Sequence, residues 1–143
     1  MSKEYDELQS HCDRLNTTWT KEVEWKDGTS SKNPVATVTF REKETYCRFL
    51  HGRWTIRLVS DPVSHSYDKK KLTKGDEQEL RDLLVNAIRR LDNHIDHIRR
   101  FEFNELDRLQ ADMILRDKSQ VECIYNFFDK YWAIYWPFEY LKE

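Results

Sequence analysis

The chain has 143 residues, a formal net charge of -2, and 38% apolar against 35% charged residues. That length favours a single domain, residues 1–143, and an aromatic content of 13% supplies enough area for a core, which argues against global disorder. No run approaches the roughly 18 apolar residues of a membrane-spanning helix, and three Gly with three Pro argue against Gly-rich phosphate loops and propellers.

Charge is spread mildly. Residues 1–74 carry 14 basic and 11 acidic groups (+3), and residues 75–143 carry 10 and 15 (-5). An isoelectric point near 6.2 argues against a nucleic-acid binder. Cys12, Cys47 and Cys123 are far apart and odd in number, so they fit neither a disulfide framework nor metal spacing. The charged start of the chain lacks an apolar leader segment, so a cytoplasmic location is expected.

Residues 3–15 read as an amphipathic helix, with Tyr5, Leu8, Cys12 and Leu15 at spacings of three and four. Residues 18–60 then alternate with period two. Strands are expected at Trp19–Trp25, Val35–Arg41, Thr45–Leu50 and Trp54–Ser60, joined at Asp27-Gly28, Glu42-Lys43-Glu44 and His51-Gly52. Residues 61–74 read as a loop containing Lys69-Lys70-Lys71.

Over residues 77–116, Leu80, Leu84, Ala87, Ile88, Leu91, Ile95, Ile98, Leu106, Leu109 and Met113 fall within about 100° of a helical wheel. The expectation is a long or kinked helix, or a helical hairpin breaking near Phe103-Asn104. Residues 119–136 read as an aromatic helix, with Ser119 and Glu122 as a capping box, Phe128 within its stripe, and Pro137 ending it before a tail over 137–143. The fold class expected is α+β: a short N-terminal helix, a four-stranded antiparallel meander, and long C-terminal helices packing on the sheet and extending from it.

No GxSxG, HExxH, P-loop or GxGxxG pattern occurs, so no catalytic residue, cofactor or metal is assigned and a non-enzyme is expected. His94 and His97, with Asp92 and Asp96 nearby, read as surface residues on a charged helix. The reading drawn from the residues is a binding protein acting through protein–protein contact, as an inhibitor, adaptor or immunity-type factor. It is expected to be homo-oligomeric, most simply a dimer, because the long apolar stripe needs partner surface. The expected interface is the aromatic surplus of Phe127, Tyr131, Trp132, Tyr135, Trp136 and Phe138. An alternative is a pocket for an anionic metabolite or nucleotide, built from Arg48, His51, Arg53, Trp54 and Arg57 with Glu102 and Glu105. A second alternative is nucleic-acid binding through a helical stripe of Arg81, Arg89, Arg90, Arg99, Arg100 and Arg108.

Overall fold

A computed structural model describes residues 3–19, 34–40 and 42–141. Helix α1 (Lys3–Arg14) precedes strands β1 (Val35–Phe40), β2 (Lys43–Leu50) and β3 (Arg53–Val59). Helix α2 (Lys74–Arg90) is next, then β4 (Ile95–Phe103), β5 (Leu109–Leu115), β6 (Gln120–Asn126), β7 (Tyr131–Pro137) and a 3-10 turn (Phe138–Tyr140). The strands form one seven-stranded sheet in the order β1-β2-β3-β7-β6-β5-β4. The expected four-stranded meander with long C-terminal helices is not what forms: the sheet has seven strands, and residues 95–137 hold four of them joined by turns in place of the long helices. The strand expected over 19–25 lies outside the described residues beyond Trp19, which bridges Val38. Among the described residues no helix is long and apolar enough to cross a membrane.

The chain divides into two compact units, Met1–Leu58 with Tyr135–Glu143, and Val59–Ile134. In the first, β1, β2 and β3 pair antiparallel; β2 and β3 meet through His51-Gly52, whose φ values of 52° and 80° suit a tight hairpin turn. Helix α1 buries Leu8 and Cys12 in this unit's core of Ala36, Val38, Cys47, Trp54 and Ile56. Trp54 Nε1 donates to the Glu4 carbonyl at 2.6 Å, and Arg14 donates to the Phe138 and Leu141 carbonyls at 2.7 and 2.8 Å. The N-terminal helix and the C-terminal turn are thus fastened together.

In the second unit α2 starts at a capping box between Thr73 and Asp76. It buries Leu80, Leu84, Ala87 and Ile88. It ends where Asp92, at φ 57°, takes the left-handed conformation. Asp92 N–H bonds the Arg89 carbonyl and Asn93 N–H the Ile88 carbonyl, a helix stop made with Asp in the place glycine usually fills. Trp132 Nε1 donates to the Leu80 carbonyl at 3.0 Å, so α2 covers the sheet face that carries Trp132.

The helical period across residues 95–115 has a specific origin. Strand β4 carries register shifts between Ile95 and His97 and between Ile98 and Arg100. Each bulge inserts one residue. Ile95, Ile98, Phe101 and Phe103 thereby stand opposite Leu115, Met113, Ala111 and Leu109, the buried alternating residues of β5. Two bulges convert a spacing of two into a spacing of three, which imitates a helix. Strand β7 misleads differently. It lies in the middle of the sheet and is apolar on both faces, a pattern shared with a buried helix.

Candidate functional site: the hairpin ends of the second unit

The turns after β4 and β6 fall at the same end of this unit, because β5 runs away from that end and β6 returns to it. Each turn is organised by an asparagine. Asn104 Oδ1 accepts from the backbone N–H of Leu106 and Arg108 at 2.9 and 3.1 Å. Asn126 Oδ1 accepts from the N–H of Phe128 and Asp129, both at 2.9 Å. The two turns share a five-residue pattern, Asn104-Glu105-Leu106-Asp107-Arg108 and Asn126-Phe127-Phe128-Asp129-Lys130. In each, the asparagine satisfies the turn backbone with its own side chain, so the third residue is free to be apolar and points outward. Phe128 is 90% exposed and Leu106 73%. The β5–β6 turn at the far end (Arg116-Asp117-Lys118-Ser119) carries no apolar residue.

Phe103 and Phe127 stack across the two hairpins at 6.3 Å and 14°. From there a line of rings runs inward and out again: Phe127 to Tyr125 at 4.9 Å, Tyr125 to Tyr67 at 6.0 Å, Tyr67 to His65 at 4.7 Å. The loop bearing His65 and Tyr67 is tied to this end by Val63 N–H on the Lys130 carbonyl at 2.9 Å and by Lys69 on Asp107 at 3.1 Å. The rim of the apolar patch carries both signs of charge: Glu105, Asp107, Asp129, Lys69, Arg108 and Lys130.

Three groups of this unit hold their protons more tightly than usual. Burial pushes the Tyr125 hydroxyl up to about 12. Burial, with its hydrogen bond to Glu79 second, raises Tyr67. Burial raises the Cys123 thiol well above its ordinary range. All three stay protonated at neutral pH. Among the described residues no group of three or more His, Cys, Asp and Glu is placed to hold a metal.

The fold disperses most of the residues singled out in the sequence. Trp132, Trp136 and Phe138 are core, at 0, 3 and 0% exposure, which removes them from a contact surface. Strand alternation puts Tyr131 and Tyr135 on the face opposite Trp132 and Trp136, half-buried, and Phe127 is half-buried in the hairpin-end stack. The anion pocket does not assemble. Trp54 is buried toward α1, whereas Arg48, Arg53 and Arg57 share the other sheet face, and Arg53 pairs with Glu139 at 2.6 Å. His51 is an exposed turn residue. Glu102 is exposed and bonded by Arg100 at 2.9 Å, and Glu105 is exposed in a turn.

The arginine stripe is broken up because the helix that would carry it ends at Arg90. Arg81 lies 4.5 Å from the Phe101 ring centre, Arg89 is exposed and Arg90 pairs with Asp61. Arg99 and Arg100 stand on β4, and Arg108 closes a turn. His94 and His97 are exposed, with His97 Nδ1 2.8 Å from Asp96.

Phe103, Leu106 and Phe128 were not legible as surface residues. Leu106 and Phe128 fall on helical stripes in the sequence; the paired Asn-x-apolar-Asp-basic pattern is the signal that finds them. Comparisons with protein-family models, curated proteins and solved structures gave no match.

Proposed function

We propose that this chain is a binding protein that acts through protein–protein contact, with the hairpin ends of its second unit as the contact surface. The observation that carries the reading is the pair of outward apolar side chains, Phe128 and Leu106, held by two turns of the same pattern. Exposed large apolar groups cost solubility and are kept where a partner covers them. A polar rim of mixed sign around an aromatic centre matches the anatomy of a protein interface better than that of a polyanion-binding surface. A non-catalytic role and a cytoplasmic location belong to the same proposal. The latter is supported by three free, buried thiols.

A homodimer loses its main support. The continuous stripe expected from Leu80 to Met113 is split between α2 and the β4–β5 hairpin. Phe128 stands out at 90% exposure, which suits a partner that offers it a pocket.

The test compares affinity capture by the wild-type chain, a Phe128→Ser/Leu106→Ser variant and a Tyr46→Ser control, an exposed aromatic in the other unit. The expected result is a partner recovered by wild type and control and lost with the double variant, whose circular dichroism is unchanged. Equal recovery by all three overturns the reading.

A further inference from the structure

We infer that the corner formed by His65, Tyr67 and Glu79 receives a cationic side chain, a lysine or arginine of the partner that docks on the hairpin ends. The inference deepens the contact reading above and rests on it for the partner, but not for the chemistry of the corner. The His65 and Tyr67 rings meet at 69° with centroids 4.7 Å apart, two walls near a right angle. Glu79 closes them. Its Oε2 accepts from the Tyr67 hydroxyl at 2.9 Å and lies 3.2 Å from His65 Nε2. Both contacts fall on one carboxylate oxygen, and Oε1 accepts no hydrogen bond among the described residues.

The side chains of His65 and Glu79 are 55% and 56% exposed, so the corner is reachable. Asp76 acts electrostatically on Tyr67, which adds to the negative potential there. Aromatic faces beside a carboxylate attract cations through the ring quadrupole and the formal charge together, and they repel anions. The Tyr125 ring packs against Tyr67 at 6.0 Å, and its hydroxyl is buried without a hydrogen-bond partner among the described residues. The line of rings from Tyr67 through Tyr125 to Phe127 places this corner on the same unit end as Phe128. One partner segment with a cation near an apolar residue engages both.

The test is an NMR titration of the whole chain with n-butylammonium chloride and tetramethylammonium chloride, against sodium chloride at equal ionic strength. It is run near pH 8. Saturable shifts of the His65 and Tyr67 ring protons are expected, weakened about three- to thirty-fold by Glu79→Gln and by His65→Ala. Phe128→Ser leaves these shifts unchanged, so loss of the hairpin-end reading and loss of the corner are separate results. No saturable shift, a shift matched by sodium chloride, or one that survives Glu79→Gln overturns the inference.

Discussion

Trp132 has no exposed surface and spends its one donor on the Leu80 carbonyl, so a single side chain couples α2 to the sheet beneath it. Trp132→Phe removes that hydrogen bond and opens a void beside Tyr125 and Phe101. A loss of roughly 2–3 kcal/mol in urea unfolding is expected. The cysteines set a pH dependence at the same scale. Burial, with the charge of Asp13 second, raises Cys12 to about 11 from 9.0. Burial, with the nearby Cys12 second, raises Cys47 to about 12. A folded-state pKa above the unfolded one means the folded chain holds the proton more tightly. Their contribution is therefore complete below about pH 9 and is lost as pH rises toward 11 and 12. Unfolding measured along that range should show stability falling. Thiol reagents near pH 8 should leave both cysteines unmodified until the chain unfolds.

Among the elements, the helix over 3–15 and the strands at Val35, Thr45 and Trp54 were legible from periodicity, and the loop after β3 from Asp61-Pro62 and its charges, whereas α2 begins at Lys74, earlier than the expected 77. The strands beyond α2 were hidden, because the helix stop and the later turns use Asp92, Asp107, Lys118 and Lys130 at positive φ instead of glycine. A sequence poor in Gly looks uninterrupted when Asn and Asp side chains do the turning. The bulges of β4 then supplied a spacing of three where a strand shows two. Non-glycine residues in the left-handed region carry strain: Lys130, at φ 64°, is held in a conformation that costs an L-residue energy. Lys130→Gly should raise stability by about 0.5–1 kcal/mol, read from the shift of the urea midpoint at constant slope. The candidate site was partly legible in the same way. Phe127 was named from aromatic excess, while Phe103, Leu106 and Phe128 needed the turns to be known.

For the molecule as a whole, the contact reading proposed above turns on which surfaces are open. Strand β4 ends the sheet, and an open edge invites pairing with a second chain. Its two bulges and the run of Asp96, His97, Arg99, Arg100 and Glu102 blunt that edge against such pairing. The surface proposed for contact is the exposed ends of the β4–β5 and β6–β7 hairpins, which carry Leu106 and Phe128. The most direct measurement places a photo-crosslinking phenylalanine analogue at position 128, at 106, or at 118 in the opposite turn. One recurrent adduct from positions 128 and 106, and none from 118, is the predicted result. Adducts of equal yield from all three positions, or none from 128, would contradict it.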